Sequence, residues 1–371
     1  MNRKIRVLQF PIANSYGGIT HYALNNWKFM DKEKFQCDFA TMSKRLDFAE
    51  DVYATGSKIH YISCYAEDNK EQFSKEINSI LDEGYDIVHL YTKQWKSFLI
   101  EEICRKRRVP RVIVHSQSSR CDANDDAKRE EETRNHYRVR EMFNENLATD
   151  FWACSMEAAD WLFGEQIGRD KIKIMPNAIE VENFLFQNEL RSKLRREYGV
   201  EDKFVIGNVG RLVYQKNQEL LLDAFAEAHK IRTDLVLFLI GDGERREEFE
   251  QKTKQLGLEK DVVFLGKRND HQVFYQMMDL FAMPSRFEGV SIAMIEAQTA
   301  GLPCIASETL TAESDITGNV TFLPLEPKAW ADELVRAQKR LERGNMLPVI
   351  KNAGYDLKSQ VKRIESEYVF K

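Results

Sequence analysis

The sequence predicts an α/β protein built from two doubly wound parallel sheets. Three observations lead there. Short apolar runs alternate with longer amphipathic segments, the pattern of parallel strands covered by helices on both faces. The alternation runs through twice, once before and once after Met175-Pro176-Asn177. The 371 residues also exceed what one hydrophobic core ordinarily serves.

In the first series the apolar runs 5–10, 37–41, 59–62, 87–90, 111–115 and 150–154 are the expected strands, with helical patterns between several of them at 19–30, 71–83 and 97–106. The highly charged stretch 122–145 reads as a solvated helix or a lid. In the second series strands are expected at 204–209, 235–240, 262–265, 280–283 and 303–306, and helices at 218–230, 245–256, 270–278 and 291–300. The stretch 177–191 joins the series, and 354–371 reads as a terminal helix. The expected domains are 1–180, 181–353 and the crossover helix 354–371, which packs back on the first domain. Ligands of doubly wound sheets sit at the carboxyl ends of strands, so two facing sheets imply a cleft between the lobes.

Composition narrows the function classes. Apolar residues make up 43% and charged residues 30%, as in an ordinary globular protein. A net charge of −5 gives no electrostatic case for nucleic acid. No apolar run is long enough to span a bilayer. Ile5–Ile12 is broken by Arg6 and Gln9, so it reads as a strand rather than a leader. Six scattered cysteines without a C-x-x-C pair argue for reduced, buried thiols and a cytoplasmic location. The basic run Arg105-Lys106-Arg107-Arg108 reads as a solvated helix end or as a peripheral contact with anionic headgroups on the inner membrane face.

Three constellations carry candidate chemistry. After the strand ending at Met283, a loop holds Arg286, Glu288 and Gly289 before a helix near Ser291. The N–H groups of Gly289, Val290 and Ser291 would leave that helix start pointing at an anion. Glu296 lies within the next two turns, in reach of ligand hydroxyls or of solvent. After the strand ending at Gly210, Arg211 offers a planar fork and Lys216 a mobile point charge, suited to a diphosphate or to surface ion pairs. Ser15-Tyr16-Gly17-Gly18 makes a turn where the backbone can approach a ligand, without the full G-x-G-x-x-G of a dinucleotide fold. Gly241-Asp242-Gly243 reads as a structural turn. His115 ends a strand and either faces the cleft, in reach of a sugar or phosphate, or is a satisfied structural histidine. His21 and His89 read as structural.

In this order, these pieces resemble glycosyltransferase family 4, the retaining enzymes of the GT-B fold with two Rossmann-like domains. The resemblance runs over nearly the whole chain, from Gly17-Gly18 through His115, Pro176-Asn177, Gly210-Arg211, Lys216-Asn217 and Gly241-Asp242-Gly243 to Ser285-Arg-Phe-Glu288-Gly, Glu296-Ala and Gly301-Leu-Pro. Glu288 and Glu296, seven residues between them, match the family signature. The stretch 154–164 is similar to the subgroup making bacterial capsules and exopolysaccharides.

The resemblance implies a donor diphosphate held by Arg211 and Lys216, a ribose held by Glu296, and a transferred sugar held by Glu288 with the Gly289–Ser291 backbone. It implies that Gly17 and Gly18 close over the phosphates from the other lobe, that His115 lines the sugar subsite, and that the backbone around Arg268 edges the base. Glu288, His115, Arg211 and Lys216 are then the catalytic set. Transfer of a hexose or N-acetylhexosamine from a nucleotide sugar, uridine diphosphate by family frequency, to a glycan or lipid-linked acceptor is the expected activity. No D-x-D motif occurs, so no metal or other cofactor is expected. A GT-B epimerase or a non-catalytic nucleotide-sugar binder is the alternative, separable by incubation with nucleotide sugars alone.

Overall fold

The structure is a computed structural model and describes residues 3–14, 18–121, 123, 125–339 and 342–370. The chain forms two compact units, 1–178 with 357–371, and 179–356. The first holds a seven-stranded sheet: β1 (Ile5–Ile12), β2 (Phe35–Thr41), β3 (Ile59–Tyr61), β4 (Ile87–Thr92), β5 (Arg111–Ser116), β6 (Asp150–Ala153) and β7 (Ile172–Ile174), in the order β3-β2-β1-β4-β5-β6-β7. The second holds six: β8 (Phe204–Val209), β9 (Leu235–Ile240), β10 (Val262–Gly266), β11 (Leu280–Met283), β12 (Cys304–Ser307) and β13 (Val320–Leu323), ordered β10-β9-β8-β11-β12-β13. Every strand pairing is parallel. The strand order reverses between β1 and β4 in one sheet and between β8 and β11 in the other, the switch points where such sheets open a crevice.

Both faces of each sheet are covered, which is why the central strands are buried, and mostly apolar, at successive positions rather than at alternate ones. β9 is buried throughout. Period-two alternation still sorts the side chains. Leu8, Val88, Leu90, Val112 and Val114 enter the core on one face of the first sheet, while Val7, Ile87, Tyr91, Ile113 and Trp152 enter the core on the other. His89 and His115 fall on that second face by parity. The helices Gly18–Phe29 and Leu357–Tyr368 cover it, contributing Tyr22, Trp27, Leu357, Val361, Ile364 and Tyr368 to that core. The terminal helix thus belongs to the first unit, each buried apolar side chain contributing about 1.5–3 kcal/mol. The chain leaves the first unit after Ala178 and returns after Asp356. Ile179 and Asp356 bridge in parallel there, with Ile179 N donating to Tyr355 O at 2.9 Å.

The helix expected in the charged stretch is present, one other expected helix differs, and two strands are additional. The charged stretch forms the helix Asp126–Arg140, which Val139 and His136 anchor by burial. The segment expected as one helix over 270–278 is a 3-10 turn, His271–Val273, followed by a single turn, Phe274–Met277. β7 and β13 were not expected. Both are short edge strands of half-buried residues and present no apolar run to read.

Candidate active site at the second switch point

The carboxyl ends of β8 and β11 deliver the two richest loops to one place. Arg286 N donates to Gln215 O at 2.8 Å, Gln215 Nε2 to Phe287 O at 3.1 Å, and Asn217 Nδ2 to Pro284 O at 3.1 Å. Asn217 takes a left-handed φ of 54°, ending the loop where the helix Gln218–His229 begins. Arg286 also stacks over the Tyr214 ring at 4.5 Å. One backbone bond and two side-chain amides on backbone carbonyls stitch the loops together, so the charges they carry are placed by the fold.

The turn after β9 supports this from below. Leu212 N donates to Asp242 O at 3.0 Å, and Arg245 N to Leu212 O at 3.0 Å. A Cβ on Gly241 would stand 1.9 Å from Gly210 O, and one on Gly243 2.4 Å from Leu212 O. Both glycines are therefore steric requirements of the Gly210–Leu212 loop, which gives the structural turn a definite task.

Lys216 Nζ meets Glu288 Oε1 at 2.5 Å, both side chains mostly buried, though the contact is not aligned as a hydrogen bond. Neither partner was expected to hold the other. Arg211 is exposed and forms no ion pair among the described residues. The helix Ile292–Thr299 starts with Ser291 as an extended N-cap whose side chain caps nothing, leaving the start of the helix open toward the loop. Ser285 Oγ, Arg286 Nε and Gln218 Oε1 are buried polar atoms without a hydrogen-bond partner among the described residues. Unsatisfied buried polar atoms are uncommon in folded proteins, and three of them gather on the segments that bound this place.

Glu296 is not a solvated helix residue. It is 4% exposed, with Tyr275 Oη donating to Oε2 at 2.7 Å and His271 Nε2 at 3.2 Å from Oε1. Sequence reasoning missed both partners. The i, i+4 spacing of His271 and Tyr275 was the available signal. The Arg268 side chain turns onto Asp270, with two contacts of 2.8 Å.

In the first unit the expected residues fall differently. Gly17 lies outside the described residues. Gly18 opens the helix Gly18–Phe29 with nothing near where a Cβ would stand. His115 does not face open space at its strand end: it is fully buried, with Nδ1 3.1 Å from His89 Nε2 and Nε2 3.0 Å from Gln117 Nε2. Tyr22 and Trp152 pack edge-on to its ring, and burial pushes its pKa down to about 3. The reason is register: β5 parity turns residue 115 into the aromatic core. His89 continues the chain to Tyr368 Oη at 2.6 Å, so both histidines are neutral. His21 pairs with Asn25 at 3.0 Å on its own helix.

One cluster elsewhere in the first unit, Asp38, His60 and Glu83, brings three potential ligand atoms within 4.8 Å of one another. Arg6 already contacts both carboxylates, and Tyr85 bridges Asp38 and His60. A cation from the chain itself fills that place. None of the six cysteines is joined in a disulfide, and four are buried. Among the described residues no helix is long and apolar enough to cross a membrane.

Comparison with known proteins bears on the fold and on the second unit's family resemblance. Residues 191–355 match the family model described as glycosyl transferases group 1. A putative glycosyltransferase, EpsF, of Bacillus subtilis (strain 168) is 29% identical, over 98% of this chain and 96% of that one. An Escherichia coli UDP-Gal:alpha-D-GlcNAc-diphosphoundecaprenol alpha-1,3-galactosyltransferase is 24% identical, over 82% of this chain and 79% of its own. Among solved structures, Anabaena Alr3699/HepE in complex with UDP-glucose superposes with a TM-score of 0.72 at 18% identity, covering 98% of this chain and 100% of that one. The two parallel-sheet units are those of the GT-B fold, and residues 191–355 are similar to the glycosyl transferases group 1.

Proposed function

We propose that the chain is a retaining hexosyl- or N-acetylhexosaminyltransferase that takes a UDP-sugar and extends a glycan or lipid-linked acceptor in bacterial surface polysaccharide synthesis. The observation that carries this is the convergence, at the second switch point, of Lys216, Arg211, Glu288, an open helix start and the held carboxylate of Glu296. The E. coli relative named above acts on a diphosphoundecaprenol-linked sugar with UDP-Gal, and HepE was solved with UDP-glucose. Both bear on the choice of nucleotide and acceptor.

In this reading Lys216 leaves Glu288 when the donor arrives and takes the diphosphate together with the Arg211 fork. The N–H groups of Gly289, Val290 and Ser291 take phosphate oxygens at the helix start. Glu288, released, accepts hydroxyls of the transferred sugar, and Glu296 accepts those of the ribose. The backbone at Arg268 edges the base. The acceptor oxygen bonds to the anomeric carbon on the face from which the diphosphate leaves, the carbon–phosphate oxygen bond breaks, and the acceptor's proton passes to the leaving phosphate. The fixed cations stabilise the charge that develops there, so no metal is required. His115 contributes as a positioning residue behind Gln117. The exposed end Arg105–Arg108 gives a cytoplasmic protein its peripheral hold on the inner membrane face.

Incubation with UDP-glucose, UDP-galactose and UDP-N-acetylglucosamine, with and without an undecaprenyl-diphosphate-linked sugar, tests this. UDP release that depends on the acceptor, with the α-linked product seen by NMR, is expected. Inversion of the anomeric centre, or epimerisation of the donor without acceptor, would contradict it.

A further inference from the structure

A glutamate side chain is flexible, and a ligand that fixes it normally bears the entropy of doing so. Glu296, on the helix Ile292–Thr299, is fixed in advance. Tyr275 Oη donates to Oε2 at 2.7 Å, and His271 Nε2 donates to Oε1 at 3.2 Å. Each carboxylate oxygen therefore has one donor. Both donors come from one short stretch, the turn His271–Val273 and the turn Phe274–Met277 that follows it, where residues four apart share a face.

The donors are themselves held. Tyr275 is fully buried. Its ring packs against Phe184 and Phe281, with centroids 5.9 and 5.7 Å away, and its carbonyl accepts from Arg343 Nη1 at 3.1 Å. Phe184 also meets the His271 ring at 6.1 Å. Gln276 Oε1, on the next residue, accepts from Gln187 N at 2.9 Å. Burial and the Glu296 charge both keep the Tyr275 phenol protonated, and so a donor. An ionised carboxylate offers about four lone-pair sites. With one taken on each oxygen, one remains on each, which is what the two neighbouring hydroxyls of a ribose require.

We propose that Tyr275 and His271 are positioning residues that brace Glu296, and that this brace sets how strongly the site prefers a nucleotide carrying both ribose hydroxyls. The inference rests on the reading of Glu296 as the ribose carboxylate. Tyr275 exposes no surface to a ligand, so it acts through Glu296 alone. Without its hydroxyl, a carboxylate that is 4% exposed lacks a donor and either turns away or takes up a proton. Both changes remove the charged acceptor the diol needs.

Calorimetric titration at one pH with UDP, and with 2′,3′-dideoxyuridine diphosphate, which lacks both hydroxyls, tests this. The wild type should prefer UDP by about tenfold or more. Tyr275→Phe should weaken UDP by about three- to tenfold and leave the dideoxy affinity unchanged, so the preference shrinks. His271→Phe, which keeps a ring against Phe184, should shrink it less. Damage to the fold alone would lower the ligand-free melting midpoint and weaken both ligands together. The wild-type preference retained in Tyr275→Phe overturns the brace, and His271→Phe carries the same criterion if the first variant does not fold. Glu296→Gln separates this from the reading beneath it. Loss of the preference in Glu296→Gln is expected, and with the preference retained in Tyr275→Phe it leaves the ribose reading standing without the brace. A wild type that binds both ligands equally, or a wild-type preference in Glu296→Gln, overturns the ribose reading itself.

Discussion

The two switch points of this molecule sit on similar sheets and carry opposite electrostatics. At β8 and β11, ionisable side chains meet partners of opposite charge: Lys216 with Glu288, and His271 with Glu296. Beside the first switch point, on β4 and β5, histidines meet one another and a tyrosine inside an aromatic core. The same residue type accordingly moves in opposite directions. Histidine is pushed up beside Glu296 and down to about 3 at His115. In the proposed function the second sheet keeps charge at its crevice for a ligand to claim, with Lys216 free to exchange Glu288 for an anion. On β4 and β5 the buried histidines bond to each other and to Tyr368 and stay neutral. A doubly wound fold thus does not by itself make a switch point reactive. What matters is whether the parity of the strand and the length of the following loop turn charge outward or inward.

The largest effect expected on the charged side is from Glu288→Gln. Removing the carboxylate should lower turnover about a hundredfold or more, as for other groups that act on developing charge. It also releases Lys216, so affinity for UDP should stay level or tighten about two- to fivefold at low salt. Steady-state rates beside calorimetry check both, and a parallel loss of affinity would show that Glu288 itself binds the nucleotide.

A smaller effect, on stability, comes from Gly241→Ala. A methyl placed 1.9 Å from Gly210 O has to move backbone, an overpacking cost of about 1–3 kcal/mol. The denaturation midpoint should fall, and UDP affinity with it, since the displaced loop carries Arg211.

On the neutral side, His115 binds protons more readily unfolded than folded. Its contribution is complete above the unfolded value near 6.5 and is lost as pH falls toward its folded value of about 3. His89 is depressed in the same direction, by burial first and then by His115. Through that window His115 should lower stability by about 1.4 kcal/mol per pH unit, with His89 acting in the same direction. His115→Gln should flatten the acid limb of a stability profile. An unchanged limb would mean that the pair is not buried and neutral.

The smallest effect expected is none at all. Transferase activity should persist in excess chelator, because Lys216 and Arg211 supply the charge a metal would otherwise carry. Loss of activity restored by manganese would contradict this.

How much of this could be read from the sequence follows from how local each feature is. β8, β9 and β11 have the expected bounds, because a fully buried parallel strand is an uninterrupted apolar run closed by polar residues. β7 and β13, at the sheet edges, bury only part of each side chain and gave no such run. The two loops and the helix start of the site were legible because strand end, glycine and charge lie together in sequence. The pairings within it were not. Lys216 and Glu288 are far apart along the chain, and their contact is set by which strands are neighbours in the sheet. His115 shows the converse. Its place at a strand end was plain, but its parity against two covering helices, one from the far end of the chain, decided that it points inward.

The central claim is that the loops after β8 and β11 hold the donor diphosphate, and titration of UDP into wild type and Lys216→Ala tests it most directly. Loss of a charge-assisted contact in this partly desolvated place should cost about 2–4 kcal/mol in transition-state stabilisation and weaken UDP binding by about ten- to a hundredfold. Arg211→Ala, at the exposed side of the loop, should weaken it less. Equal UDP affinity in wild type and a folded Lys216→Ala would contradict the account and return the Lys216–Glu288 pair to a structural ion pair.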